Sequence, residues 1–167
     1  MNKEKITLPP NSTEIEGPLI FLAGPIQSAE DWQNEAIKII HDIDPLLMIA
    51  NPRRDYLDDE FVYNEQVDWE TKHLRRAGEN GAIIFWLAKE SEHNHERAYA
   101  QTTRFELAEW KVRHERDGAK LVIGVEEGFT GAKYIRRRFS LDCPEVPILT
   151  SLQETCAKAV ELAKSAH

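Results

Sequence analysis

"PLIFLAGPI", residues 18–26, is the stretch that decides the fold. Its apolar residues run without a break from Leu19 to Ala23 and end at Gly24 and Pro25. Strands that are buried on both faces have such continuous apolar runs, whereas strands with one solvated face alternate apolar and polar residues. The Gly-Pro pair predicts a tight turn directly after the strand. The stretch therefore predicts a central strand of a parallel sheet.

Strand-like and helix-like segments alternate along the rest of the chain. Further strands are predicted in "LLMIA", "AIIFWLA", "KLVIGV" and "VPILT". Helices are predicted in "AEDWQNEAIKIIHDI", "NEQVDWETKHLRRAGEN", "TTRFELAEWKVRHERDG", "GAKYIRRRF" and "SLQETCAKAVELAKSA". Thr102 or Thr103 is the expected N-cap of the third helix, and "SLQE" predicts a capping box for the last.

This alternation predicts an α/β protein, a three-layer sandwich of about five mostly parallel strands with helices on both faces. Residues 1–16 are expected to form a polar N-terminal arm, because they combine two consecutive prolines with "NST". Residues 17–167 are expected to form a single domain, since the length is that of one domain and 41% of the residues are hydrophobic.

Composition argues against several classes of partner. The net charge of −8 disfavours nucleic acids and anionic membranes, whose binding depends on clustered Lys and Arg. No apolar segment is long enough to cross a membrane, and none has the form of a signal peptide. The two cysteines lack CxxC spacing, which favours free thiols in a cytoplasmic protein and gives no indication of a metal site. Dinucleotide and P-loop motifs are absent, so no cofactor is expected.

Two carboxylates stand out, because ligands of such sheets bind beyond the carboxyl ends of the strands. Asp68 follows Val67 in "QVDWE", and Glu106 follows Phe105 in "TRFELAEW", each near the start of a predicted helix among apolar residues. Chemistry and simple stabilisation of a helix N-terminus remain alternatives for both acids. Glu109, one turn further along, is expected to be an ordinary helix residue.

The segments "FLAGPI", "QVDWETKHLRRA", "AIIFWLA", "TTRFELAEW" and "SLQETCAKAVE", in this order, resemble the second sequence branch of the nucleoside 2-deoxyribosyltransferase family. The resemblance extends from Leu19 to Ala163. It implies a flavodoxin-like, Rossmannoid domain that forms a homo-oligomer, from dimer to hexamer. It also implies exchange of purine or pyrimidine bases on 2′-deoxyribonucleosides through a covalent glycosyl-enzyme, with nucleosides and free nucleobases as ligands.

The resemblance also implies roles for individual residues. Glu106 matches the glutamate nucleophile, and Asp68 matches an aspartate near the sugar and base. Substitution with retention requires one carboxylate to attack and a second group to move a proton, so we expect a raised pKa for Asp68. The expected substrate-binding residues are Gly24, Pro25, Gln27, Trp32, Asp55, Trp86, Thr103, Arg104 and Phe105.

Several questions stay open at the level of sequence. An N-glycosidase, in which water resolves the intermediate, and a non-catalytic nucleotide-sensing module are the alternative functions. A nucleotide substrate would need cationic contacts for its phosphate, which Arg53, Arg54 or Arg104 would supply. The helix faces around Trp69 and Trp110 are candidates for the subunit interface.

Overall fold

One sheet organises the molecule, and its strands follow the predicted apolar runs. The computed structural model describes residues 2–11, 14–54 and 61–165. The strands are β1 (Ile6–Thr7), β2 (Leu19–Ala23), β3 (Met48–Ala50), β4 (Gly81–Leu87), β5 (Leu121–Val125) and β6 (Ile148–Leu149). Within the described residues they pair in parallel in the order β1-β3-β2-β4-β5-β6. The sheet is therefore all parallel and has six strands rather than about five.

Helices cover both faces of the sheet. A short 3-10 helix (Lys3–Lys5) precedes α1 (Trp32–Ile43), α2 (Tyr63–Glu79), α3 (Gln101–Asp117), α4 (Ala132–Asp142) and α5 (Leu152–Lys164). Helices α1 and α5 share one core with Ile20 and Leu22 of β2, while α2, α3 and α4 share the other with Leu19 and Phe21. This confirms the predicted flavodoxin-like three-layer sandwich. None of the helices in the described part of the chain combines the length and apolar character that crossing a bilayer requires.

Strand β1 is the part of the sheet that the sequence did not predict. It lies within residues 1–16, which were expected to form a polar arm, and pairs Ile6 with Ile49 and Thr7 with Ala50. Thr7 is buried at 2% exposure. A pair of residues is too short to carry a periodic pattern, and β1 covers the edge of β3 that would otherwise present unpaired backbone groups.

The helix starts agree with the sequence in one case and differ in another. Ser151 is the N-cap of α5 in the predicted "SLQE" segment, since its hydroxyl accepts from the Glu154 amide at 3.2 Å and donates to Glu154 Oε2 at 2.7 Å. The N-cap of α3 is Ala100, in the left-handed region at φ 55° and ψ 31°, and within the described residues no side-chain hydrogen bond caps the helix there. The expectation of Thr102 or Thr103 was therefore wrong, because both threonines already lie within the first turn.

Trp69 and Trp110 are interior residues. They are 3% and 4% exposed and pack in the core between the sheet and the layer of α2, α3 and α4. The Trp69 ring packs against His73 at 4.1 Å between ring centroids. Neither side chain is available to another subunit, so the two tryptophans themselves cannot form an interface.

The order of the strands fixes where a ligand can bind. The chain passes from β2 to β3 on one side and later returns to place β4 on the other side of β2. Connections that leave neighbouring strands in opposite directions open a crevice beyond their carboxyl ends. The loops that follow β2, β3 and β4 meet at this place.

Candidate active site

A cavity of about 350 Å³ lies at this crevice. It is bounded by the loop after β2, the residues after β3, one side of α2 and the start of α3. Two carboxylates, Glu70 and Glu106, and two arginines, Arg54 and Arg97, contribute to its walls. Among the described residues, no group of three or more His, Cys, Asp or Glu side chains is arranged to hold a metal ion.

An aromatic wall bounds part of the cavity. Phe61 and Tyr63 line the cavity and meet edge to face, with ring centroids 6.4 Å apart. The Arg54 guanidinium lies 3.9 Å from the centre of the Phe61 ring, a distance at which a cation is attracted to the ring face. A flat aromatic and cationic surface of this kind suits a planar heterocyclic ligand.

Glu106 lies on the second turn of α3, and its carboxyl group has a raised pKa. The buried face of α3, formed by Thr103, Leu107 and Trp110, packs against the sheet and holds Glu106 at the margin of that face, on the cavity wall. The pKa of Glu106 is raised to about 8, chiefly by burial and to a smaller extent by the nearby charges of Glu70 and Glu109. Near neutral pH this carboxyl group therefore holds a proton in the free protein.

Glu70 is the second carboxylate of the cavity. Burial raises its pKa as well, and this effect is opposed by a hydrogen bond from Gln66 and by the charge of Arg54. The Gln66 amide donates to Glu70 Oε1 at 2.7 Å and to the Pro52 carbonyl at 3.0 Å. Because Gln66 precedes Glu70 by one helical turn and is tied to the loop after β3, the Glu70 carboxylate is held in a defined orientation.

The structure does not bring Asp68 to Glu106. Asp68 is exposed and lies on the wall of a second cavity, together with Thr71, Lys72 and Arg75. Residues two apart on a helix are separated by about 200°, so Asp68 points away from the side of α2 that carries Gln66 and Glu70. The expectation that Asp68 faces the interior was wrong for this reason, and Glu70 occupies the place expected for it.

The turn after β2 forms the cavity floor, where Gly24, Pro25 and Gln27 all lie. A Cβ at Gly24 would be 2.4 Å from the Trp86 carbonyl oxygen and 2.6 Å from the Trp32 ring, so only glycine fits. Trp32 and Trp86 themselves are not part of the described cavity wall. They are buried in the core with α1 and α5, and the Trp32 indole N–H donates to the Pro25 carbonyl at 3.0 Å. Both tryptophans support the floor from behind.

The three consecutive candidates on α3 have different surroundings. Thr103 lines the cavity and is buried. Arg104 turns away, because its guanidinium donates to the Thr130 carbonyl at 2.7 Å and lies 4.5 Å from the centre of the Phe129 ring. Phe105 is 74% exposed on the outer face of the helix. Asp55 lies outside the described residues.

Several cavity residues were missed from the sequence. They are Phe61, Tyr63, Gln66, Glu70, Arg97 and Gln101. A signal was present for part of this set, since Tyr63, Gln66 and Glu70 have the i, i+3, i+7 spacing of one helix face. The loop residue Arg97 carried no comparable pattern, because its position depends on a hydrogen bond of its guanidinium to Ser28 Oγ at 3.2 Å.

Comparison with known proteins bears on the whole arrangement. No curated protein sequence matches this chain. A family profile described as "nucleoside 2-deoxyribosyltransferase like" matches residues 17–129, a range that includes the cavity floor, α2 and the start of α3. The match covers more than half of the chain and agrees with the fold and the resemblance of the motifs. The chain belongs to the nucleoside 2-deoxyribosyltransferase-like family.

Proposed function

We propose that the protein exchanges the base of a 2′-deoxyribonucleoside, with Glu106 as nucleophile and Glu70 as the group that moves the proton. Family membership supports a glycosyltransferase-type enzyme that acts on nucleosides. The observation that carries the finer proposal is the sharing of one cavity by two carboxyl groups, both with a raised pKa. A carboxyl group with a raised pKa keeps its proton at a pH at which an ordinary glutamate is ionised, so the cavity can hold an acid beside a carboxylate. One can then be ionised while the other is an acid, as base exchange requires.

The first half of the reaction cleaves the bond between sugar and base. In the reactive protonation state Glu106 is ionised and Glu70 carries the shared proton. A Glu106 oxygen attacks C1′, the electrons of the C1′–N bond pass to the base, and Glu70 gives its proton to the departing nitrogen. The products are a glycosyl ester on Glu106, a neutral free base and an ionised Glu70.

The second half reverses these steps with another base. A ring nitrogen of the incoming base attacks C1′, the ester bond to Glu106 breaks, and the proton of that nitrogen passes to Glu70. Two successive inversions at C1′ give net retention. If water enters in place of the second base, the same residues catalyse hydrolysis, so the acceptor that reaches the ester decides between the transferase and the N-glycosidase.

The base is proposed to lie against the aromatic wall. Phe61 and Tyr63 offer the flat apolar surface that purines and pyrimidines share, and the Arg54 guanidinium extends it. The amides of Gln27 and Gln101, which also line the cavity, can each donate and accept hydrogen bonds at the base edge. Since an amide can offer either face, this arrangement suits an enzyme that accepts both classes of base.

A homodimer is the oligomer that the surface of α3 supports. Phe105, Ala108 and Val112 form an exposed apolar stripe on the side of α3 opposite its buried face. The ion pair between Glu109 and Arg113 borders this stripe. In a dimer with a two-fold axis, Glu109 of one copy can therefore lie near Arg113 of the other copy at the edge of the apolar contact. Light scattering after size-exclusion chromatography tests the proposal. The Phe105→Glu variant should be monomeric, and an unchanged mass for this variant would count against this surface.

Product analysis tests the reaction. The protein is incubated with 2′-deoxyinosine, with and without adenine, and the products are separated by chromatography. Formation of 2′-deoxyadenosine only with adenine supports the transferase, whereas hypoxanthine and free sugar in both mixtures indicate the glycosidase. Glu106→Gln should abolish both reactions, and Glu109→Gln, on the same helix but exposed and paired with Arg113, is the matched control. Substantial turnover by the Glu106→Gln variant would exclude this residue as nucleophile.

A further inference from the structure

One side chain ties the loop after β3 to the carboxylate that is proposed to move the proton. The Gln66 amide donates to Glu70 Oε1 at 2.7 Å and to the Pro52 carbonyl at 3.0 Å, and all three residues line the cavity. Both partners are acceptors, so the amide nitrogen must face them, and both of its N–H groups are used. Gln66 therefore connects α2 to a cavity-lining residue that lies 14 positions earlier in the chain.

The loop that accepts this hydrogen bond is itself held in place. The Arg53 backbone amide donates to Asn51 Oδ1 at 3.0 Å, directly after β3. The Arg53 guanidinium pairs with Asp31 at 3.1 Å and donates twice to Gln33 Oε1, at 3.1 and 3.3 Å. Gln33 is completely buried on α1. Because these contacts fix the residues on both sides of Pro52, its carbonyl oxygen offers the α2 amide a defined anchor.

The hydrogen bond from Gln66 also distinguishes the two oxygens of Glu70. An N–H group that donates to Oε1 favours the carbonyl form of that oxygen when the carboxyl group is protonated, so the proton belongs on Oε2. Burial raises the pKa of Glu70, and the Gln66 hydrogen bond opposes this rise because it stabilises the ionised form. A group that gives and takes a proton in one catalytic cycle needs such a fixed partner, because a misplaced oxygen transfers the proton poorly.

We propose that Gln66 is a positioning residue for proton transfer, which holds Glu70 Oε1 so that Oε2 exchanges the proton with the base. When the base departs, the Oε2–H bond breaks and the proton bonds to the ring nitrogen that receives the electrons of the C1′–N bond. When the second base enters, its ring nitrogen loses a proton to Oε2, and Gln66 itself exchanges none. Because the loop after β3 also carries Arg54 at the aromatic wall, Gln66 sets Glu70 relative to the surface proposed for the base. This inference rests on the proposed function for the role of Glu70.

A double-variant cycle on the full-length protein tests the inference. Gln66→Met keeps the length of the side chain but removes its donors, and it should lower kcat for base exchange on 2′-deoxyinosine about tenfold or more. KM should change by less than about threefold, because a positioning role affects the chemical step rather than binding. Combined with Glu70→Gln, the Gln66→Met substitution should lower kcat by about twofold at most, because Gln66 acts only through Glu70. Gln66→Glu, which has the same shape and no N–H donor, is a second variant that should lower kcat to a similar extent.

A titration provides a readout that does not depend on turnover. The pKa of the Glu70 carboxyl group is followed by NMR of protein labelled with carbon-13 at the glutamate carboxyl groups. It should be higher in Gln66→Met than in the unaltered protein, because the hydrogen bond from Gln66 lowers it. An unchanged pKa would show that Gln66 does not hold the carboxylate, whether or not base exchange is observed.

Asn64→Met is the matched control, because Asn64 carries the same amide group on the exposed side of α2 and does not line the cavity. It should leave kcat, KM and the pKa of Glu70 as they are in the unaltered protein. Circular dichroism establishes that each variant is folded before its kcat is compared. A loss of kcat by Gln66→Met that is equally large in the Glu70→Gln protein would refute the positioning role alone, since the two residues would then act independently. Full activity of Glu70→Gln by itself would instead refute the proposed function of Glu70.

Discussion

Replacing Glu106 by glutamine should make the protein more stable at alkaline pH, and the structure sets the size of the effect. The pKa of Glu106 is raised from 4.5 to about 8, chiefly by burial. A carboxyl group displaced to this extent favours the protonated form in the folded protein by roughly 5 kcal/mol, at about 1.36 kcal/mol for each pH unit. Glutamine has nearly the same shape but cannot ionise, so the variant avoids the cost of placing a charge there.

The sign of the effect follows from proton binding. Between pH 4.5 and about 8 the folded protein keeps the Glu106 proton while the unfolded chain has released it. Stability from this group is therefore fully present below pH 4.5 and is lost as the pH rises through about 8. The variant and the unaltered protein should have similar free energies of unfolding near pH 5. Near pH 9 the variant should be more stable by about 3 to 5 kcal/mol.

Urea denaturation at a series of pH values, followed by circular dichroism, measures this difference. Comparing the variant with the unaltered protein at each pH cancels the contributions of the other ionisable groups. Glu109→Gln is the control, because an exposed i, i+4 ion pair contributes only about 0.5 kcal/mol. The difference in the free energy of unfolding between Glu106→Gln and the unaltered protein should change with pH. A difference that stays constant from pH 5 to pH 9 would show that the pKa of Glu106 is not raised by burial.

Three further substitutions separate the cavity from its surroundings. Glu70→Gln should lower kcat by about 10² to 10⁴ in a steady-state assay, because this is the usual contribution of a proton-transferring group. Asp68→Asn, on the exposed side of the same helix, is the control and should leave kcat within about twofold. Trp32→Phe removes the hydrogen bond to the Pro25 carbonyl and should cost about 1 to 3 kcal/mol in urea denaturation. Gly24→Ala places a methyl group 2.4 Å from a backbone oxygen and should lower the melting temperature and raise KM.

The sheet could be predicted because its strands are buried on both faces. In β2 and β4 every side chain is buried, so the sequence contains the continuous apolar runs from which both strands were identified. The N-cap at Ser151 could be predicted because its contacts with Glu154 depend only on residues three apart. Strand β1 and the left-handed Ala100 could not, because pairing with β3 and the course of a long loop are tertiary features with no local pattern.

The candidate site was predictable to the extent that it depends on a single element. The turn at Gly24 and the position of Glu106 follow from one strand end and one helix start. Gln27 and Thr103 belong to the same two segments and also line the cavity. Trp32 and Trp86 were misplaced because a large aromatic residue next to a functional turn can support it from the core side as well as face the ligand, and the sequence does not distinguish the two sides.

Asp68 was predicted to face the interior beside Glu106, but Glu70 is the α2 carboxylate that lines the cavity. Asp68 was expected inside because Val67 and Trp69 flank it, but neighbours on a helix are about 100° apart, so flanking apolar residues say little about the residue between them. Val67 is in fact 38% exposed, while Trp69 is 3% exposed. A carboxylate should instead be judged by the residues three and four positions away. Glu70 then has Gln66 on one side and the buried Leu74 on the other, which places it at the margin of the buried face, where Glu106 also lies on its own helix.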